Sequence, residues 1–346
     1  MIVVTADVHA HNFTDFNTQR GGKNSRLAAT LHTLQVMLEY AIEHKAEAFL
    51  VIGDLFHSQT KIDINVLDGV AETLQKFAEN GIQVVLLSGN HDQYLKDGSC
   101  NSLKQLSGIA TIVSEPTVVN LSDCDIYAVP YIDDQEDLEA SLEEMSAVAS
   151  KAKKYAILAS HVAIDGSYVG SFEHKVKTHT GVKKLHPDSY DLCLLGHHHK
   201  PQEISDGVFY VGSPLQHDRG ERGEAKTFWA VRPDDNDGDI ESIPTGAPEF
   251  VKLTKEEYDA LSDEQKANLY PEIIVNSVED HKAASSELAN TNAKIVMEDI
   301  DASGEEGRIV FDANDTLMDK TRKYAEFKGQ DSDVVEEGIK LLTEVM

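Results

Sequence analysis

The sequence predicts an α/β domain of stacked sheets flanked by helices, followed by a small α+β unit and a helical tail. Three observations carry this. Over residues 1–232, short aliphatic runs alternate with amphipathic stretches of helical period, as in layered strand–helix–strand units. Most of these runs end in a short motif of Gly, Asp, Asn and His, at the strand ends where open α/β sheets hold ligands. Two short late strands, at 209–211 and 227–231, suggest a second sheet stacked on the first.

Taken in order, strand-like runs lie at 2–5, 49–52, 84–87, 126–129, 156–159, 192–195 and 208–211. Between them Leu27, Leu31, Leu34, Val36 and Leu38, then Leu67, Val70, Leu74 and Phe77, recur at helical spacing. Arg232-Pro233-Asp234-Asp235-Asn236-Asp237-Gly238-Asp239 combines Pro, Gly and clustered acids and reads as a turn or linker. Beyond it, 250–253, 272–275 and 294–298 read as strands and 281–289 as a helix. A Gly- and acid-rich stretch at 303–307 ends that unit. The tail then carries two helical patterns: Leu317, Thr321 and Tyr324, and Val335, Ile339, Leu342 and Met346. The expected divisions are 1–232, 240–303 and 312–346.

The chain has 346 residues, with 60 Asp and Glu against 31 Lys and Arg, a net charge of −29. Residues 234–346 hold 29 acids and 11 bases. So acidic a chain binds nucleic-acid backbone poorly by itself, because that affinity comes from Lys and Arg neutralising phosphates. A DNA substrate would need a local basic groove or a separate partner. The start of the sequence shows no secretory pattern, and no apolar stretch is long enough to span a bilayer. Cys100, Cys124 and Cys193 form no CxxC pair, which fits a reducing, cytoplasmic setting. There is no phosphate-binding Gly-x-x-x-x-Gly-Lys loop and no Gly-x-Ser-x-Gly elbow.

Six motifs carry chemistry: Asp7-Val8-His9, Gly53-Asp54-Leu55-Phe56-His57, Gly89-Asn90-His91-Asp92, Ser160-His161, Gly196-His197-His198-His199 and Gly212-Ser213-Pro214. Asp, Asn and His from several strand ends suit a pair of divalent cations that activates water against a phosphate ester. Asp54 is placed to bridge, since two cations about 4 Å apart need an anion between them. In an extended segment residues i and i+2 point the same way, so Asp7 and His9 would converge on one ion, and His197 and His199 likewise. Imidazole ligands favour zinc, iron, manganese or nickel over an all-oxygen site. Asn90 offers a neutral oxygen to a metal. His91 would face the phosphate, where an imidazole can pass a proton near neutrality. His161 is a further ligand candidate, His198 the weakest of its triplet, and His11 and His217 could support the ligands.

These motifs resemble the calcineurin-like metallophosphoesterase superfamily, whose fold is a β-sandwich flanked by helices in α/β/β/α layers. The Leu55-Phe56-His57 extension, Gly196-His197-His198-His199-Lys200-Pro201-Gln202 and Tyr210-Val211-Gly212-Ser213-Pro214-Leu215 are similar to the SbcD-type nuclease subunits of meiotic-recombination nuclease complexes. The capping region resembles that of phage recombination endonuclease subunits. The first motif continues as Ala10-His11, where that family usually has Leu-Gly.

The resemblance implies one metal on Asp7, His9, Asp54 and His199, and another on Asp54, Asn90, His161 and His197. His91 would act on the phosphate or leaving group, with His57 supporting it. It further implies manganese, with magnesium as the alternative, and exonuclease action on duplex ends with endonuclease action on single strands or hairpins. The implied partners are DNA, a second nuclease subunit in a homodimer, and an SMC-like ATPase of SbcC type. The tail would grip the ATPase through Leu317, Tyr324, Val335, Ile339 and Leu342. Helical segments at 67–77 and 103–106 are candidate dimer contacts. The setting would be the cytoplasm, or the host cytoplasm for a phage protein. Two other readings stand beside this one: a stand-alone phosphoesterase for nucleotides or phosphoproteins, and a non-catalytic scaffold for the ATPase.

Overall fold

A computed structural model describes residues 1–20, 23–170, 174–233, 239–297, 316–327, 335, 336 and 339. Two six-stranded mixed sheets share one core. The first has the order Asp239–Pro244, Thr227–Arg232, Ile2–Thr5, Ala48–Ile52, Gln83–Leu87 and Thr111–Val113. The second runs Gln202–Ser205, Val208–Tyr210, Leu192–Gly196, Tyr155–His161, Cys124–Val129 and Thr117–Asn120. In each sheet the central strands are parallel and the antiparallel pairings lie towards the edges.

Strand alternation sorts the side chains. Ile2, Val4, Leu50 and Ile52 point between the sheets, where they join Ile126, Ile157, Leu192 and Leu194. Val3, Phe49 and Val51 point the other way, onto Leu34, Met37, Leu74 and Phe77 of two helices. These are Ser25–Glu43, capped by Asn24, and Ile64–Glu79. A third helix, Gln135–Ala149, covers the second sheet through Leu138, Leu142 and Met145. Asp134 caps it, and Glu136 and Asp137 favour the positive end of its dipole. The layers are therefore α/β/β/α. Strands buried on both faces read as unbroken apolar runs, which is why the sequence marks them.

The late strands divide differently from expectation. Val208–Tyr210 joins the second sheet, but Thr227–Arg232 returns to pair antiparallel with Ile2–Thr5 in the first. Asp239–Pro244 then pairs antiparallel with Thr227–Arg232. The acidic stretch read as a linker thus separates two paired strands, and the first sheet extends to Pro244.

Further on, Glu249–Thr254, Leu269–Val275 and Lys294–Met297 form a parallel three-stranded sheet. The helix Val278–Glu287 connects the last two, starting earlier than expected because the Ser277 side chain caps Asp280. Tyr258, Ile273 and Leu288 form this unit's core. In the tail, Leu317 opens the helix Leu317–Phe327, and Thr316 and Asp319 cap each other at its start. Tyr324 is exposed, Val335 half-buried and Ile339 buried; Leu342 lies outside the described residues. Among the described residues no helix is long and apolar enough to cross a membrane.

Candidate metal centre

His161 ends the strand Tyr155–His161, whereas the other candidate ligands sit just past the strand ends, outside the extended strands. Asp7, His9, Asp54 and His197 adopt φ of 51°, 47°, 53° and 97°. Non-glycine residues rarely occupy this left-handed region, though Asp and His tolerate it better than most, and each instance costs roughly 1–3 kcal/mol. Asp7 and His9 do converge, but through these turns and not through the strand alternation expected from sequence. The turns are pinned to each other: Asp7 N–H donates to the Gly53 carbonyl at 3.0 Å and His9 N–H to the Asp54 carbonyl at 2.9 Å.

Asp54 lies between two clusters. Its Oδ2 is 3.6 Å from His9 Nε2 and 3.5 Å from His161 Nε2. On one side His9 Nε2 is 3.1 Å from His199 Nε2, and potential ligand atoms of Asp7, His9 and His199 all lie within 4.8 Å of one another. On the other side Asn90 Oδ1 lies 3.0 Å from both His161 Nε2 and His197 Nδ1. Asp7, Asp54 and His161 form a further such group. His91 and His57 stand at the open side. His91 N–H donates to Asp54 Oδ1 at 2.8 Å, and its Nδ1 donates to the His57 carbonyl at 2.6 Å. His57 Nδ1 is 3.3 Å from His9 Nδ1. All nine residues singled out from sequence as ligands or catalytic groups therefore meet around one cavity or directly behind it. The cavity, of about 420 Å³, also has Phe13 and Arg26 in its wall.

Several supporting residues escaped the sequence reading. His199 Nδ1 is 2.6 Å from Glu221 Oε1, which leaves Nε2 turned to the cluster. Glu221 is itself held by Lys226 Nζ at 2.8 Å. Asp92 lies behind the ligands and accepts N–H bonds from Gly89, Leu55 and Phe56, tying two motif turns together. His217, a weak candidate from sequence, donates to the Asp7 carbonyl at 2.8 Å and packs its ring on His9 and His199. His198 turns away to pack on Tyr210. His11 packs on Phe13 and His57. The signal for Glu221 was its place in a polar turn shortly after Gly212-Ser213-Pro214, a segment without periodicity.

The electrostatics fit cations. Burial raises the Asp7 carboxyl to about 6 despite the nearby histidines. For Asp54 burial acts in the same direction, but His161 and His91 outweigh it and hold the carboxylate below its usual range. Burial lowers His197 to about 3, assisted by His161, which keeps its imidazole neutral and able to take a cation. His161 Nδ1 donates to the Ile52 carbonyl at 2.9 Å, so Nε2 faces Asn90 and Asp54. Burial lowers the His161 imidazole, but Asp54 and Asp7 outweigh it and raise it to about 9, a proton that a bound cation would displace. Buried carboxylates, imidazole nitrogens and an amide oxygen form a donor set suited to two divalent ions.

Gly89 makes the close approach of these turns possible. A Cβ there would lie 2.2 Å from Asp54 Oδ1 and 2.4 Å from Asp54 N. Gly89→Ala must displace Asp54, and Mn²⁺ affinity is expected to fall roughly 10–100-fold, as when a ligand's support is lost. Titration calorimetry with Mn²⁺ reads this directly; affinity equal to wild type would refute the crowding argument.

The model of the calcineurin-like phosphoesterase family matches residues 1–201. The chain is 26% identical over 234 residues to the DNA double-strand break repair protein Mre11 of Methanocaldococcus jannaschii, covering 64% of this chain and 62% of that protein. It is 24% identical over 200 residues to Exonuclease subunit 1 of Enterobacteria phage T4, covering 56% of this chain and 55% of that protein. The matches thus span about three-fifths of these relatives' lengths. Among solved structures, a dimetal phosphatase from Danio rerio aligns with a TM-score of 0.43 at 9% identity, over 70% of this chain and 96% of the other. With the family model covering more than half its length, the chain belongs to the calcineurin-like phosphoesterase family.

Proposed function

We propose that this chain is a metal-dependent DNA nuclease, the nuclease subunit of an SbcCD-like recombination and repair complex in the cytoplasm. The observation that carries the reading is the double ligand cluster around Asp54, with His91 and His57 at its open side. The names of the two curated relatives support DNA as the substrate. One cation would be held by Asp7, His9, Asp54 and His199, the other by Asp54, Asn90, His161 and His197; manganese is the proposed metal. When bound, the pair would supply water activation and offset charge on a phosphodiester. His91 has its Nδ1 committed to the His57 carbonyl, so Nε2 is the nitrogen left to pass a proton to the departing oxygen. His57 keeps that ring in place. Residues 1–232, with the strand Asp239–Pro244, would form the nuclease domain, and the part of 240–303 that follows Pro244 would form the cap. The tail at 312–346 would dock on an SMC-like ATPase, and two nuclease subunits would pair.

The test gives the purified chain Mn²⁺ and labelled duplex, hairpin and single-stranded DNA, with bis-p-nitrophenyl phosphate in parallel. Metal-dependent DNA cleavage is expected, falling roughly 10²–10⁴-fold in His91→Ala while Mn²⁺ stoichiometry is unchanged. Activity confined to the small ester would favour a stand-alone phosphoesterase. Cleavage of neither, with or without the ATPase subunit, would favour a scaffold.

A further inference from the structure

Arg26 is a fully buried guanidinium that the proposed chemistry does not use. It lies in the first turn of Ser25–Glu43 and is 1% exposed. Burying a cation is costly unless it is well partnered. Here the partners are main-chain carbonyls and ring faces. Nη1 donates to the Asp15 carbonyl at 3.2 Å, and Nη2 to the His217 carbonyl at 3.0 Å and, at 3.5 Å, to that of Gln216. The guanidinium carbon stands 4.9 Å from the Phe13 ring centre, 5.2 Å from Phe250 and 4.4 Å from Tyr270. Its Nε has no hydrogen-bond partner among the described residues.

These contacts join two parts of the molecule. Phe250 and Tyr270 belong to the three-stranded C-terminal sheet, whereas Phe13 lines the metal cavity. His217 grips the Asp7 carbonyl and packs on His9 and His199. The Gln216 side chain also accepts the Phe250 N–H at 2.8 Å. The same sheet is fastened at the rim by Glu272, which pairs with both Arg219 and Arg222.

We propose that Arg26 is a positioning residue through which the seating of the C-terminal sheet sets the geometry of the metal ligands. The guanidinium fork holds the 13–16 and 216–217 turns in place on one side and rests on the sheet's aromatic rings on the other. Lysine cannot replace it, because a single ammonium lacks the planar fork and the stacking face. The inference rests on the metal-site reading but is independent of DNA as the substrate.

The test uses the full chain and Mn²⁺ alone as the probe, with affinity and stoichiometry from calorimetry and folding from thermal melts. Arg26→Lys and Tyr270→Leu are each expected to weaken Mn²⁺ binding roughly 10–100-fold. Leu288→Ala, in the C-terminal core away from Arg26, serves as the comparison. It is expected to lower Tm while leaving Mn²⁺ affinity within about twofold. Equal affinities in Tyr270→Leu and wild type, or equal losses in Tyr270→Leu and Leu288→Ala, would overturn the coupling. If Arg26→Lys fails to fold, Tyr270→Leu against Leu288→Ala still decides. A wild-type chain that binds no Mn²⁺ would overturn the metal-site reading and this inference together; binding without DNA cleavage would overturn only the nuclease reading.

Discussion

Asp54→Asn is expected to reduce Mn²⁺ binding from two ions to at most one and to lower phosphodiester hydrolysis by more than about 10³-fold. The side chain is 3% exposed, and its Oδ2 is nearly equidistant from His9 and His161, which belong to opposite clusters. Asparagine has almost the same size and can still accept the His91 N–H through its amide oxygen. The turn should therefore persist, and the change isolates the loss of charge. Two cations in adjacent sites repel, and without an anion between them the pair is no longer held. A thousandfold loss corresponds to about 4 kcal/mol of transition-state stabilisation. Calorimetry for stoichiometry, with hydrolysis of bis-p-nitrophenyl phosphate for rate, tests both halves. Two Mn²⁺ ions bound at wild-type affinity would remove Asp54 from the bridging position.

How much of this was legible in the sequence follows from what each residue's neighbours do. The central strands stand out because both their faces are buried, so alternation between helices and the opposite sheet still leaves an apolar run. The polar residues that interrupt those runs, such as Asp54 and His161, are then conspicuous. Edge strands are harder to read: Asp239–Pro244 mixes acids with isoleucines because one side faces solvent. In the helix Gln135–Ala149 many acids mask the pattern in the sequence, although Leu138, Leu142 and Met145 keep helical spacing. The convergence of Asp7 with His9 was foreseen for the wrong reason, since left-handed turns and not strand alternation aim them. Glu221 and Arg26 were invisible for a further reason. Their roles arise from contacts across about 20 and 190 residues of sequence, and a lone Glu in a turn or Arg in a helix start looks like surface.

Lys226→Met is expected to destabilise the fold by roughly 3–5 kcal/mol, because it removes the ammonium shared by a buried pair of carboxylates. Lys226 Nζ lies 2.8 Å from Glu221 and 2.9 Å from Glu224, and all three side chains are nearly inaccessible. It also donates to Ser213 Oγ and to the His199 carbonyl, each at 3.0 Å. Methionine keeps the apolar stem and fills most of the volume, so a cavity contributes little and the uncompensated charge dominates. Glu221 retains His199 as a partner, which together with His217 and Lys226 holds its carboxyl well below the usual range against the effect of burial. Glu224 loses its ammonium partner outright. Adding Glu224→Gln should therefore restore a substantial part of the loss, whereas the same substitution in wild type should not stabilise. Urea denaturation of the metal-free chain measures all four corners of this cycle. A single-variant loss below about 1 kcal/mol would place the pair in the class of exposed salt bridges and contradict its burial. Because Glu221 orients His199, Lys226→Met should also weaken Mn²⁺ binding roughly tenfold, and Glu224→Gln should not repair that deficit. Recovery of stability without recovery of metal affinity would separate the two tasks of the lysine, neutralising Glu224 and fixing the Glu221–His199 pair.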